Sequence, residues 1–293
     1  DAGQDGLALT LQEAKKFGAK TIGVGMNMTE AARPLILDEA GGIGLFAVGY
    51  QRGCKPAGED KGGCLSWSEM EIIRSIIQEI KTKCRWCVVV AHGGEEFTAI
   101  PSPYTRERYH AYLEMGADLV VCHHPHVPMN YETVGDKMIF YSLGNFIFDT
   151  DYQRAQFNTE KGILLKLHFT EDSYSFEAFG LKINRENEHI ESAPLPKIFA
   201  DIQEDDYNKL EPLAAKMFLA ATKRQQLFLY PDKFKNATEA QWKDHFYEEK
   251  RSGRVPGEAL DFQIIYPIAQ EEAKGAWKTC KLEDVKAYIL EQM

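Results

Sequence analysis

The stretch Trp86-Cys-Val-Val-Val-Ala-His92-Gly-Gly-Glu-Glu96 decides the fold class of this chain. It opens with a continuous apolar run, which is typical of a β-strand that is covered on both faces. A second stretch, Leu119-Val-Val-Cys-His-His-Pro-His126, has the same order of a buried strand followed by histidine. Because strands and helical segments alternate up to about residue 122, the sequence predicts a layered α/β domain.

Helical patterns lie between the predicted strands. Isoleucines between residues 72 and 80 fall on one stripe of a helix, which indicates the face that packs against a sheet. Ser68 and Glu71 have the spacing of a capping box at the start of this helix. The stripe of this first helix consists of Ile72, Ile73, Ile76, Ile77 and Ile80. A second helix is predicted for residues 104–115.

The pattern changes after about residue 150. Two predicted antiparallel strands follow, and from about residue 206 the chain is mostly helical. We therefore expect an α/β domain, an α+β sandwich, over residues 1–200 and a helical C-terminal extension over residues 201–293. The remaining predicted strands cover residues 20–24, 43–48, 138–141, 162–169 and 174–183, and the remaining predicted helices cover residues 7–17, 210–228, 237–250 and 282–290.

Histidines follow both of the buried strands quoted above. Ligands of α/β sheets bind beyond the carboxyl ends of the strands, and imidazole is the commonest metal ligand near neutral pH. We predict a metal-binding or catalytic role for this set, above all for His92, His124 and His126, and we expect these three to converge at one edge of the sheet. Pro125 would set the geometry between the last two. His123 belongs either to the surroundings of the site or to the loop alone.

Glycine residues follow His92 directly. Gly93 and Gly94 carry no side chain, so the backbone there could approach an ion or a substrate anion closely. We predict that they lie beside the ligands or contact the substrate.

Other kinds of catalytic site find little support. The sequence has no zinc-finger spacing, no Gly-x-Ser-x-Gly, no Walker A motif and no Rossmann glycine fingerprint. Cys84 and Cys87 have thioredoxin-like spacing, but they fall at a junction between helix and strand, so a redox role for them is a minor alternative. Cys54 and Cys64 flank a loop rich in glycine and lysine, and they could pair in an oxidising compartment.

Composition narrows the class of protein. The chain has 293 residues, of which 34 are Lys or Arg and 44 are Asp or Glu, and its net charge is -10. An acidic chain without a basic run is poorly suited to bind nucleic acid. No apolar stretch reaches the ~18 residues that a membrane span needs. We expect a folded protein with no nucleic-acid partner and no membrane span in this chain.

Three segments together carry a family resemblance. They are His92-Gly-Gly-Glu-Glu-Phe97, Gly116-Ala-Asp-Leu-Val-Val-Cys-His-His-Pro-His-Val127 and Tyr141-Ser-Leu-Gly-Asn-Phe-Ile-Phe-Asp149. They resemble the CapA family of bacterial capsule-synthesis proteins, which are associated with poly-γ-glutamate and related to calcineurin-like metallophosphoesterases. The resemblance covers about residues 1–170.

The resemblance implies a fold and a site. The fold would be the αββα architecture of calcineurin-like metallophosphoesterases, with a dinuclear metal site at one edge. His92, His124 and His126 match metal ligands, and His92, Glu96 and Asn145 match catalytic positions. Asn145 is either a site residue or a turn former. Cys122 stands where the superfamily usually has glycine.

The family's early Asp ligands and its Asn-Asn-His motif would lie upstream of residue 1. We therefore expect an N-terminally incomplete domain. Adjacent cations repel, so a dinuclear centre of Mn, Zn or Fe would form only with those ligands, and the histidines alone would hold one ion. The chain alone would then hydrolyse phosphodiesters weakly.

The resemblance implies a metal-dependent hydrolase that acts on a phosphoester, or on a polymer-linked ester or amide, in capsule biosynthesis. The alternative is a non-catalytic component that binds an anionic polymer or partner proteins of polymer synthesis. For localisation we expect the cytoplasm, or the cell surface or periplasm if an N-terminal anchor precedes this chain.

Overall fold

The computed structural model describes residues 2–50, 54–154, 156, 158–208, 238, 240 and 241. Its helices are α1 (Gly3–Lys16), α2 (Met28–Ala31), α3 (Met70–Lys83), α4 (Pro103–Met115) and α5 (Asp151–Arg154). Its strands are β1 (Val24–Gly25), β2 (Leu35–Leu37), β3 (Ile43–Gly49), β4 (Gly63–Cys64), β5 (Trp86–His92), β6 (Leu119–His123), β7 (Tyr131–Val134), β8 (Lys137–Phe140), β9 (Lys161–Phe169), β10 (Tyr174–Asn184) and β11 (His189–Ala193).

A six-stranded sheet in the order β2-β3-β5-β6-β8-β7 forms the framework. The inner strands β3, β5, β6 and β8 are parallel, whereas β2 and β7 join the edges antiparallel. Parallel neighbours need a crossover connection, and α3 and α4 provide it on either side of β5. As a result β5 and β6 end at the same edge of the sheet, where His92 pairs with His123 in register.

The helices α3 and α4 cover one face of this sheet. Ile73, Ile76, Ile77 and Ile80 of α3 are buried, as the stripe predicts, and Ile72 is partly buried against the same cluster. The second helix contributes buried side chains to the same core. These are Tyr109, Tyr112 and Leu113 of α4.

A second sheet covers the other face. The strands β9, β10 and β11 form an antiparallel meander. Inward side chains of the meander, such as Leu165 and Phe176, pack on Trp86 and Phe140 of the larger sheet. The Trp86 indole N–H also donates a hydrogen bond to the carbonyl of Thr170 at 2.7 Å.

The mixed α/β sandwich expected from the sequence is confirmed. Among the described residues no helix covers the outer face of the three-stranded sheet, where Leu164 and Phe179 are exposed. The helices predicted for residues 210–228 and 282–290 lie outside the described residues, as does most of the helix predicted for residues 237–250. None of the described helices is long and apolar enough to cross a membrane.

Two local predictions are wrong. Residues 20–23 are not a strand, because Gly23 has a φ of 73° and turns the chain before β1. The capping box is not formed either, since α3 begins at Met70 and no side chain caps it. A backbone turn takes its place, in which the amides of Glu69 and Met70 donate to the carbonyls of Ser66 and Ser68 at 3.1 and 2.9 Å.

The chain beyond residue 194 remains attached to the sandwich as far as it is described. Ile198, Ile202 and Tyr207 are buried. The amide of Ile202 donates to the carbonyl of Tyr131 at 2.8 Å, and the Tyr207 hydroxyl donates to the carbonyl of Pro101 at 3.3 Å. The division into domains at residue 200 stays a prediction, because most of the extension lies outside the described residues.

We expect Ile76→Ala to lower the free energy of unfolding by about 2–5 kcal/mol, because it removes buried methyl groups and leaves a cavity. Urea unfolding of the purified chain measures this change. Ile72→Ala is the matched control on the same helix, and its effect should be smaller because Ile72 is only partly buried. Equal effects of the two substitutions would contradict the orientation of α3.

The environment of Glu132 predicts that the free energy of unfolding falls at acid pH. Burial disfavours its charged form, but hydrogen bonds from His110, Arg106 and Tyr141 outweigh burial and lower the pKa of Glu132 to about 2. A lowered pKa stabilises the fold above the usual value near 4.5, and this stabilisation disappears as the pH falls from about 4.5 to 2. The loss should be on the order of 3 kcal/mol at most.

Urea unfolding of wild type and Glu132→Gln at pH 7, 4.5 and 3 tests this loss. The variant should be less stable at pH 7 and should lose less stability on acidification. Parallel pH profiles for the two proteins would contradict the assignment to Glu132.

Candidate metal centre

The histidines predicted at the strand ends lie in one cavity. His92, His123, His124 and His126 line a cavity of about 700 Å³ at the carboxyl edge of β5 and β6. We call it the histidine cavity. Its other lining is mainly apolar and includes Leu143, Phe146, Phe148, Ile163, Leu164 and Leu165.

His92 and His123 contact each other directly across the two strands. Their Nδ1 atoms are 2.8 Å apart, so one ring donates a hydrogen bond to the other. In a neutral pair the donor ring has its lone pair on Nε2, and the acceptor ring has its proton there. The ring of His92 also packs on that of His124, with 4.7 Å between the ring centroids.

Three side chains form the group that could hold a metal ion. Glu96, His124 and His126 each offer one ligand atom, and these atoms lie within 4.8 Å of one another. His124 Nε2 is 3.7 Å from Glu96 Oε1. The structure therefore groups Glu96, which the resemblance placed among the catalytic residues, with two of the predicted ligands. His92 lies beside them, and its role as a ligand stays a prediction.

Asn145 fixes the orientation of His126. Its Oδ1 lies 2.9 Å from His126 Nδ1, while its Nδ2 donates to the carbonyl of Thr159 at 2.9 Å. Because the amide nitrogen is used by Thr159, the oxygen must accept the Nδ1 proton of His126. The Nε2 lone pair of His126 is then available to a metal. The His126 ring is also stacked between Phe97 and Phe148.

The loops that carry these residues have unusual backbone conformations. His124 and His126, on either side of Pro125, have φ values of 117° and 64°, and Phe97 has a φ of 62°. Such conformations cost on the order of 1–3 kcal/mol each for residues other than glycine, and they cluster at functional sites. The Phe97 amide donates to the carbonyl of Pro125 at 2.8 Å, which holds the two loops together.

Glu95 and Tyr50 also shape the site, although the sequence patterns assigned them no role. The Glu95 carboxylate accepts hydrogen bonds from the hydroxyls of Ser102 and Thr105 at 2.5 and 2.8 Å. It thereby ties the loop that presents Glu96 to the start of α4. Burial raises the pKa of Glu95 even though these hydrogen bonds favour the charged form. The Tyr50 ring packs on His124, with 4.6 Å between the ring centroids.

The local structure disfavours any side chain at Gly93 and Gly94. A Cβ on Gly93 would lie 2.4 Å from the Trp67 ring. Gly94 has a φ of 111°, which favours glycine. Their predicted contact with an ion or substrate stays a prediction.

Three imidazoles of the cavity, those of His92, His123 and His126, favour their neutral form because their pKa values are lowered. Burial, and then the proximity of His123 and His126, lower the pKa of His92 to about 4. Burial also lowers the pKa of His123 and of His126. At pH 7 these rings therefore carry lone pairs that a metal ion could accept without competition from protons.

Among the described residues, the remaining histidines pair with carboxylates elsewhere, and Cys84 and Cys87 are unreactive. His110 pairs with Glu132, and His168 pairs with Glu177. His245 lies outside the described residues. Cys84 and Cys87 are buried, and burial raises the pKa of Cys87 to about 12, which argues against the thioredoxin-like alternative.

The strained backbone at His126 leads to a stability prediction. We expect His126→Gly to be more stable than His126→Ala by about 1 kcal/mol, because glycine adopts a positive φ without steric cost. Both variants lose the imidazole, so the comparison isolates the backbone. Urea unfolding measures the difference, and a less stable glycine variant would contradict strain at this position.

Comparison with known proteins identifies the family. The family described as Bacterial capsule synthesis protein PGA_cap matches residues 1–150. The PGA biosynthesis protein CapA of Bacillus subtilis (strain 168) is 31% identical over 160 residues, which are 53% of this chain and 42% of that protein. The capsule biosynthesis protein CapA of Bacillus anthracis is 28% identical over 178 residues, 59% of this chain and 42% of that protein. The chain thus spans less than half the length of these relatives. Since the family match takes in half of the chain, the chain belongs to the bacterial capsule synthesis protein PGA_cap family.

Proposed function

We propose that this chain acts in the synthesis of a bacterial capsule polymer as a metal-dependent hydrolase of ester bonds. The observation that carries the proposal is the grouping of Glu96, His124 and His126, whose ligand atoms lie within 4.8 Å of one another. Membership of a capsule-synthesis family and the names of the two relatives support the biological setting.

The donor set suits one divalent ion. Two imidazole nitrogens and one carboxylate oxygen form the ligand set of several catalytic zinc sites, and Mn²⁺ and Fe²⁺ accept the same donors. The lowered pKa of His126 favours binding, because the ring needs no deprotonation at pH 7. A second ion would need further carboxylates to offset the repulsion between adjacent cations.

The residues around the group would hold protons and ligands in place. When bound, the ion would supply Lewis-acid polarisation of an ester oxygen and a water of lowered pKa. Asn145 keeps the proton on Nδ1 of His126. The His92–His123 pair has one N–H and one lone pair at its Nε2 atoms, so it can donate a hydrogen bond to an ester oxygen or accept a proton.

A non-catalytic role in polymer assembly is the second candidate. It is favoured by the single carboxylate in the metal-capable group, because the two-ion clamp of phosphoryl transfer needs more charge than the described residues bring together. In that role the chain would bind an anionic polymer or a partner protein of polymer synthesis without cleaving it.

Calorimetric titration of the purified chain with Zn²⁺ or Mn²⁺ tests the site. We expect one ion per chain, and we expect Glu96→Gln and His124→Ala each to weaken binding by roughly 100-fold or more, since loss of an outer partner alone costs 10–100-fold. His168→Ala is the matched control, because this histidine pairs with Glu177 on the three-stranded sheet, away from the metal-capable group. Unchanged affinity in both ligand variants would refute the assignment.

Hydrolysis of bis-p-nitrophenyl phosphate in the presence of the same metals tests the activity. We expect slow turnover that Glu96→Gln and His124→Ala abolish and that His168→Ala leaves unchanged, with thermal unfolding as the check that each variant is folded. Metal binding without turnover of any phosphoester or capsule polymer would favour the non-catalytic role.

A further inference from the structure

Two free thiols lie together near Tyr50, outside the metal-capable group. Cys54 and Cys64 are both half-buried and reduced, and their side chains hydrogen-bond each other. Both sulfurs face Gly49, because a Cβ at that residue would lie 2.6 Å from Cys54 Sγ and 3.3 Å from Cys64 Sγ. The absence of a side chain at Gly49 therefore leaves the space that the two sulfurs share.

The backbone holds the two cysteines side by side. The Cys64 amide donates to the carbonyl of Lys55 at 2.8 Å, and the Ala57 amide donates to the carbonyl of Cys64 at 2.9 Å. The Cys54 amide donates to the carbonyl of Tyr50 at 2.9 Å. The two thiols are therefore in contact with each other before any bond forms between the sulfurs.

We propose that Cys54 and Cys64 form a reversible disulfide. This bond closes the segment 54–64 and makes the cysteine pair a redox-controlled modification site. The other described cysteines, Cys84, Cys87 and Cys122, are buried and have raised thiol pKa values. Cys54 differs, because its hydrogen bond with Cys64 lowers its pKa although burial acts in the opposite direction. The same hydrogen bond raises the pKa of Cys64, so Cys54 is the thiol that reacts first.

The oxidation needs a disulfide of the glutathione or thioredoxin class as oxidant. The Cys54 thiolate attacks one sulfur of that disulfide, which forms a mixed disulfide and releases one thiolate. The Cys64 thiolate then attacks the Cys54 sulfur and releases the second. The two protein thiols are oxidised, the external disulfide is reduced to two thiols, and the protons pass to the released thiolates.

The bond would fix a segment that several elements already contact. Gln4 of α1 exchanges two hydrogen bonds of 2.8 Å with the backbone of Gly62. The Met28 amide donates to the carbonyl of Gly58 at 2.7 Å. The closed segment thus joins α1, α2 and the β1–β4 ribbon to the end of β3, next to the Tyr50 ring that packs on His124.

The test is to equilibrate the purified chain with oxidised glutathione and to map its cysteines by differential alkylation and intact mass. We expect the loss of two hydrogen atoms per chain, a linked peptide that contains Cys54 and Cys64, and full reversal by dithiothreitol. The melting temperature should rise by on the order of 5–10 °C on oxidation. Cys54→Ser and Cys64→Ser should each abolish the linked peptide and this rise.

Three results would overturn the proposal. They are a stable glutathione adduct at Cys54 without the internal bond, linkage to a different cysteine, and a melting temperature that oxidation leaves unchanged or lowers. None of these measurements depends on metal binding or on hydrolysis. The outcome is therefore independent of the proposed function.

Discussion

The parallel pairing of β5 with β6 is the constraint on which the histidine cavity depends. Parallel neighbours end at the same edge of a sheet, and the register sets His92 directly opposite His123. The connection between them must cross over, and the buried tyrosines Tyr109 and Tyr112 fix the crossover helix α4 to the sheet. The last residues of these two strands are His92 and His123, and the loops that follow them carry Glu96, His124 and His126. The parallel direction of the two strands therefore brings the loops that carry the ligand atoms to the same edge of the sheet.

The same loops hold conformations that their residues would not adopt alone. His124 and His126 have positive φ, and the surrounding contacts must offset that strain. Hydrogen bonds from Phe97 to Pro125 and from Gly93 to the carbonyl of His123 connect the two loops. These backbone contacts help to hold the imidazoles together, in addition to the hydrogen bond between His92 and His123. That arrangement is what a preformed ligand site requires.

The sequence predicts the parts of the fold that burial alone determines, namely the apolar strands and the isoleucine stripe of α3. It does not predict the start of α3, because the preceding turn depends on Trp67, whose carbonyl accepts a hydrogen bond from Tyr112 of α4. The same distinction holds at the site. Histidines at strand ends are visible in the sequence, whereas Glu95 contacts Ser102 only when the loop has folded, and Tyr50 reaches His124 from the end of β3. Contacts between segments distant in sequence carry no local pattern.

The electrostatics of the cavity connect substrate binding with metal binding. None of the described residues that line it is lysine or arginine, and the pKa values of His92, His123 and His126 are lowered, so these three rings are mainly uncharged at neutral pH. The side chains of Phe146, Phe148 and Leu164, which are exposed, offer no hydrogen-bond donor to the negatively charged oxygens of a phosphoester. A cation held by Glu96, His124 and His126 would be the main attraction for them, and the apolar surroundings would strengthen it. In such a cavity the bound cation would have two roles. It would attract the anionic substrate, and it would polarise the ester bond of that substrate.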